Sequence, residues 1–496
     1  MNRREFFGAT AALALGSSVC GSPQRARRAP DPCGTILNDV HSKLNATRVE
    51  RVVPVDSLDS LRAAILEARR RGRSISIAGG RHAMGGQQFG EGAVHLDTRP
   101  LRRILSFDLE RGIVEVEAGI QWPELIEGCL RAQPAEKRWG IAQKQTGADR
   151  LSLGGALAAN VHGRGLALPP LIGEIESVTL LDARGELRSC SREADGELFG
   201  LAIGGYGLFG AVYSLRLKLA PRRKLERVVE VRGSEGLAGA FEQRIREGCL
   251  YGDFQFETDE TSRTFLTRGV FSCYRPVDPS TPIPPAQREL SKEDWLELLY
   301  LAHADKARAF EAYASHYLAT HGQLYWSDLQ HLGYYPDDYH ALLDRRLGSA
   351  RATEMISELY VHRPALAGFL QAAAESLREL RAGVIYGTVR LIERDRDSFL
   401  AWAREPWACV VLNLHVEHSP EGIERARRAF RSLIDLARER GGSYYLTYHR
   451  WATREQVEAC HPRMAEFLRK KLAHDPEERF QSEWWRHHRA LFADVL

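Results

Sequence analysis

Three glycine-rich segments, all in the first half of the chain, restrict this sequence more than any other feature. They are Gly79-Gly80-Arg81-His82-Ala83-Met84-Gly85-Gly86, then Ser152-Leu153-Gly154-Gly155-Ala156-Leu157-Ala158-Ala159-Asn160-Val161-His162-Gly163-Arg164-Gly165, then Gly204-Gly205-Tyr206-Gly207-Leu208-Phe209-Gly210. The first directly follows the alternating segment 74–78, which predicts a strand. Paired glycines at such a place let the backbone take positive φ and bring unobstructed N–H groups against a phosphate. None of the three carries the lysine of a phosphate-binding P-loop, and no GxGxxG lies at the first strand-to-helix turn, so neither a nucleotide triphosphatase nor a nicotinamide-binding fold is indicated. One such loop is usually only a tight turn. Three in order within one half of the chain point to a dinucleotide.

Apolar spacing fills in the rest. Helices are predicted over 58–71 and 122–131, the second with Pro123 in its first turn, and strands over 92–96, 112–116, 175–181 and 208–219. From about residue 221 the texture changes to longer helical stretches, 291–314 and 364–380, with strands at 253–256, 355–361, 384–392 and 408–416. The last part reads as a strand at 443–447, a helix at 453–472 and a short tail. This divides the chain into a leader and linker over 1–39, a glycine-rich α+β body over 47–220, a second domain over 221–440 and a returning C-terminal segment over 441–496.

The order GGRHAMGG, SLGGALAANVHGRG, ESVTLLDARGEL and then the run from Glu197 to Gly210 resembles the vanillyl-alcohol-oxidase-type FAD flavoproteins. Residues 474–482, His-Asp-Pro-Glu-Glu-Arg-Phe-Gln-Ser, extend the likeness to the C-terminus. Within that family the chain looks most like sugar-alcohol and aldonolactone oxidases and decaprenylphosphoryl-ribose oxidases. The resemblance implies an α+β fold with a two-part FAD-binding (PCMH-type) domain and an inserted cap of antiparallel sheet and helices that takes the substrate. It implies that FAD is held by Gly79, Gly80, Arg81, His82, Ala83, Met84 and Gly86, by Thr146, by Ser152, Gly154, Gly155, Asn160, Val161 and Gly163, and by Gly207 and Val212. In the sugar-alcohol oxidases a histidine at the place of His82 is bonded to the 8α-methyl group of the flavin, so His82 is the expected tether. In lactone-oxidising relatives the residue at the place of Val161 lies where oxygen reaches the flavin. A β-branched valine there favours a quinone or dye over oxygen as electron acceptor.

Oxidation of an alcohol by a flavin needs a base for the hydroxyl proton and gains from a cation beside the developing alkoxide. Arg390 and Glu358 lie on strands that match substrate-facing strands of the sugar-oxidising relatives. Relatives place a lysine near 444–451; here the segment is Tyr-Tyr-Leu-Thr-Tyr-His-Arg-Trp, and His449 or Tyr448 takes that place. Asn413 and His415, on one face of their strand, are alternates. His162 reads as a packed structural histidine.

Composition adds exclusions. Basic and acidic residues nearly balance, 68 against 65, so no field points to nucleic acid as a partner. The eight cysteines include no CxxC, leaving at most one or two disulfides. No HExxH or GxSxG occurs, so no metal is expected and a serine hydrolase is not indicated. Met1-Asn2-Arg3-Arg4-Glu5-Phe6-Phe7, followed by a short apolar stretch to Val19, resembles a twin-arginine signal and implies export of a folded holoprotein to the periplasm or beyond. No other stretch is long and apolar enough for a transmembrane helix. The expected activity is oxidation of a CH–OH group of a small sugar, polyol or lactone. The alternatives are action on a C–C bond of a sterol-like lipid, an NADPH-dependent flavin reductase, and a non-enzymatic binding protein.

Overall fold

The computed structural model describes residues 34–134, 138–333 and 339–496. The twin-arginine leader, with Cys20 and Cys33, lies outside the described residues. Among these residues the fold is α+β, with three sheets that matter for the site. A small parallel sheet places Val94–Asp97 between Arg51–Pro54 and Ile75–Ala78. A five-stranded antiparallel sheet runs Leu187–Ser191, Ile175–Leu181, Ala211–Lys218, Ile113–Glu117, Ile104–Asp108. An eight-stranded antiparallel sheet takes up the second half of the chain.

The large sheet owes its layering to period-two alternation. Met355, Leu359 and Val361 register with Leu414, Val410 and Ala408, and these with Val384, Val389 and Leu391. This apolar face packs against the helices Leu366–Glu379 and Pro420–Arg438, whose buried stripes include Phe369, Leu370, Phe430 and Leu433. The residues between them form the opposite face. There Glu354, Glu358 and Tyr360 register with His415, Val411 and Cys409, and Tyr386, Thr388 and Arg390 with Asn413, Val411 and Cys409. That face is polar yet buried, because the glycine-rich half lies against it. Its far end is covered by the helices Lys292–Ala304 and Lys306–Leu318, with Phe310 and Ala314 packed on Val229 and Val270.

The predicted elements at 122–131, 175–181 and 384–392 match to the residue. The predicted helix at 291–314 is two helices, because Asp305 (φ −154°) ends the first and caps the second through Arg308 N. The helix predicted at 453–472 is likewise Arg454–Cys460 and Met464–His474, parted where Pro462 forces His461 out of helical geometry. The predicted strand at 443–447 stops at Tyr444, since the Leu446 and Thr447 carbonyls accept from Gln87 Nε2 instead.

The folded body begins before Thr47: Thr35–Leu37 pairs with Thr47–Val49, and the buried Asp39 carboxylate between them accepts from Ser42 N and Ser42 Oγ. Cys129, Cys190, Cys249, Cys273, Cys409 and Cys460 are unpaired and buried. No helix among the described residues is long and apolar enough to cross a membrane.

Candidate active site

The loop 79–86 leaves strand Ile75–Ala78 in an arrangement suited to an anion. Its carbonyls are tied away from the loop: Arg81 O accepts from Val40 N, Ala83 O from Gln88 Nε2 and Met84 O from Asn45 Nδ2. The N–H groups of Gly80, Arg81, His82, Ala83 and Met84 donate to nothing among the described residues. Arg81 adopts φ +60° and Gly86 φ +77°, and the buried Arg81 Nε is also without a partner. A run of unpaired amides beside a guanidinium is what a pyrophosphate requires.

The second glycine segment sits directly on the first. A Cβ on Gly79 would stand 1.9 Å from Ser152 Oγ, so that glycine allows the two segments to touch. The short helix Leu153–Ala159 contributes less than the resemblance implies. Leu153 N and Gly154 N donate to Ile120 O and Ala118 O, and Gly155 N is capped by Ser152 Oγ. Asn160 is anchored within the protein: its side chain donates to Asp395 and accepts from Ile172 N, and its carbonyl accepts from Trp402 Nε1. It fixes the chain in left-handed geometry, φ +49°. Gly163 N donates to Gln143 Oε1, and Val161 is buried. Gly207 (φ +73°) has open space where a side chain would be, and Val212 lies on the strand Ala211–Lys218.

His82 Nδ1 lies 2.8 Å from His41 Nε2. Burial, with His41 and Arg150 adding charge repulsion and the Arg150 backbone opposing, pushes the His82 pKa down to about 3, so its ring is neutral at ordinary pH. No spacing in the sequence signals His41, which lies in the stretch between the linker and the expected start of the body.

Across the polar face of the large sheet, Glu358 gathers the remaining groups. Its Oε1 is 2.7 Å from His162 Nε2 and accepts from Tyr360 Oη at 2.5 Å; its Oε2 accepts from Tyr448 Oη at 3.4 Å. His162 Nδ1 must donate to the Gly163 carbonyl, 3.0 Å away, so the short contact to Glu358 needs one shared proton. Burial raises the Glu358 pKa, but His162, Tyr360 and Arg390 together outweigh it and hold the carboxyl below its ordinary value. Tyr448 is pushed well up by burial and the Glu358 charge, and stays a donor. Arg390, 5% exposed, donates to Thr146 Oγ1 across the boundary of the two halves and leaves its Nε unpartnered. Cys409 Sγ is 3.8 Å from His162 Nε2, and the donor atoms of His162, Glu358 and Cys409 all lie within 4.8 Å of one another. The His162–Glu358 hydrogen bond accounts for that grouping without an ion.

Of the residues expected from sequence, Glu358, Arg390, Tyr448 and Thr146 therefore meet. His449 does not join them. One residue beyond Tyr448 the chain faces the other way, and the His449 ring stacks on Tyr444 (9° between planes) and packs on Phe430 and Trp451. Burial pushes its pKa down to about 3. His162 belongs to the cluster rather than being structural packing. Asn413 donates to Glu354 and keeps its buried Oδ1 unpartnered, while His415 packs against His303.

Residues 49–191 match the FAD binding domain family. The chain is 26% identical over 172 residues to L-gulonolactone oxidase of Bos taurus, covering 34% of this chain and 37% of that protein. It is 27% identical over 163 residues to decaprenylphosphoryl-beta-D-ribose oxidase of Mycolicibacterium smegmatis, covering 32% and 34%. It is 30% identical over 176 residues to L-gulono-1,4-lactone dehydrogenase of Mycobacterium tuberculosis, covering 36% and 39%. These matches span between a third and two-fifths of the relatives' own length. The matched residues 49–191 include the first two glycine-rich segments, so the likeness to an FAD binding domain falls on the part of the chain that carries the 79–86 loop.

Proposed function

We propose that this protein is an FAD-dependent oxidoreductase that oxidises a CH–OH group of a sugar, polyol or lactone. FAD, when bound, supplies the hydride acceptor. The observation that carries the reading is the row of buried, unpartnered polar atoms on the inner face of the large sheet, Thr388 Oγ1, Arg390 Nε and Asn413 Oδ1, beside the Glu358 carboxylate. Hydroxyl groups would satisfy those atoms. A sterol or other lipid would leave each one desolvated at a cost of about 1–3 kcal/mol, which disfavours the lipid alternative.

Arg390 orients the reacting oxygen and favours its negative charge. Glu358 receives the hydroxyl proton directly or through Tyr448, whose own proton points at Oε2. A carboxylate held below its ordinary pKa is a weak base, so the proton leaves late, once loss of hydride has made the hydroxyl strongly acidic. His162 holds Glu358 in place from its far side.

Anaerobic mixing with polyols, aldonolactones and sterols tests the substrate class: bleaching of the bound flavin by a polyol or lactone is expected. Bleaching by NADPH alone, or by a sterol alone, would sink the reading. Reoxidation of the bleached protein then tests the acceptor. The buried Val161 is expected to make a quinone dye faster than oxygen, and a faster oxygen reaction would reverse that assignment.

The tether belongs to the same proposal. His82 is neutral and nucleophilic without prior deprotonation, and His41 aligns its ring. Yellow flavin is expected to stay with denatured parent protein and to be released from His82→Ala; release from the parent would refute the bond. Residues 1–39 are proposed to direct export through the twin-arginine route, which accepts a holoprotein already folded. A folded reporter fused to that leader should leave the cytoplasm, and should fail to do so when Arg3 and Arg4 become lysine.

A further inference from the structure

Beside the helix Pro420–Arg438, a hollow of about 290 Å³ is lined by Arg427, Arg431, Arg450, Trp451 and His487, with Arg450 also against Gly86 of the glycine-rich loop. Three separate stretches of chain converge on it. Arg427 and Arg431 lie one turn apart on the helix Pro420–Arg438, Arg450 and Trp451 follow the Tyr448–His449 segment, and His487 belongs to the helix Glu483–Leu491.

Like charges converging on one cavity repel, and among the described residues the carboxylate of Glu424 pairs with Arg427 while Arg431 and Arg450 have no such ion pair. Glu424 accepts from Arg427 Nη1 at 2.8 Å. Glu483, whose charge acts on Arg450, already accepts from Glu91 N and Arg486 Nη1. Arg431 is held by its Nε on the Trp451 carbonyl at 2.6 Å, and its two terminal nitrogens have no partner among the described residues. Among the described residues Arg450 donates only to Asn45 Oδ1, at 3.4 Å, and burial pushes its pKa down against Glu483. The arginines are thus anchored by single bonds that leave guanidinium edges turned to a common space. That is the donor geometry a tetrahedral oxyanion takes from arginine forks.

We propose that this hollow binds a soluble phosphate monoester, whose dianionic head is held by Arg427, Arg431 and Arg450 and whose alcohol portion lies against the Trp451 indole. The volume exceeds what a bare phosphate fills, and the indole supplies the one extended apolar surface in the lining.

Calorimetric titration of the FAD-saturated protein with inorganic phosphate, against chloride at matched ionic strength, tests this. FAD saturation keeps phosphate out of the 79–86 loop. Saturable phosphate binding is expected, weakened at least about tenfold in Arg431→Ala and again in Arg427→Ala, with the flavin spectrum and melting temperature unchanged. Equal heats with phosphate and chloride, or parental affinity in the double variant, would overturn the proposal. So would Arg431-dependent binding to phosphatidic-acid vesicles without any binding of free phosphate, since the ligand would then be a membrane headgroup.

Discussion

Replacing Glu358 by Gln is expected to lower turnover by about 10²–10⁴-fold while the protein keeps its flavin. Glu358 is the acceptor on which His162, Tyr360 and Tyr448 converge, and it is the carboxylate that contacts His162 and Tyr448 on the polar face. Gln keeps the shape and can still accept from Tyr448, but it cannot take a proton. The loss should fall on kcat rather than KM, because the interaction strengthens as the hydroxyl becomes acidic. The pH profile gives a second readout. Glu358 is held below its ordinary range, so the parent should lose activity only as pH falls through that depressed value, where the Glu358 carboxylate becomes protonated. Glu358→Gln should show no such acid limb. A variant with near-parental kcat would remove Glu358 from proton transfer. A lost kcat with an unchanged acid limb would mean that a different group titrates. His449→Phe, by contrast, should retain turnover, since that ring packs among Tyr444, Phe430 and Trp451.

The contrast between Glu358 and His449 shows what the sequence could reveal. Tyr448 and His449 are adjacent, and composition does not say which one reaches Glu358. The answer depends on the chain leaving the large sheet after Tyr444, where Gln87 captures the Leu446 and Thr447 carbonyls from 359 and 360 residues away in sequence. The His162–Glu358 contact likewise spans 196 residues and exists only because the polar face of one half is laid against the second glycine segment of the other. The loop 79–86 was legible because its chemistry is local: glycines, a preceding strand and a histidine within one short run. Its carbonyls, however, are tied back by Val40, Asn45 and Gln88, two of them in the stretch between the linker and the expected start of the body. The alternation over 355–361, 384–392 and 408–416 identified strands, while their order in an eight-stranded sheet is set by long-range pairing that period-two patterning does not encode.

The C-terminal motif supplies the second large effect. Lys471 and Asp475 are fully buried, and Lys471 Nζ lies 2.6 Å from Asp475 Oδ2. The same carboxylate accepts from Arg479 N at 2.9 Å and Phe480 N at 2.8 Å. That turn places Phe480 against Ile75: Ile75 N donates to Arg479 O and Gln481 N to Ile75 O, joining the C-terminus to the strand from which the 79–86 loop departs. Asp475→Ala would leave a buried ammonium uncompensated and two backbone amides unpaired, at an expected cost of about 3–5 kcal/mol in unfolding free energy. Lys471→Met should cost less, because the carboxylate keeps both amide donors and the methylene stem is replaced in kind. Flavin affinity should follow the same order as stability, since loosening Ile75 loosens the anchor of the loop. Denaturant titrations with fluorescence of bound flavin measure both quantities at once. If Asp475→Ala lowered stability while flavin affinity stayed at the parental value, the C-terminal turn would be a stabilising element with no part in shaping the cofactor loop.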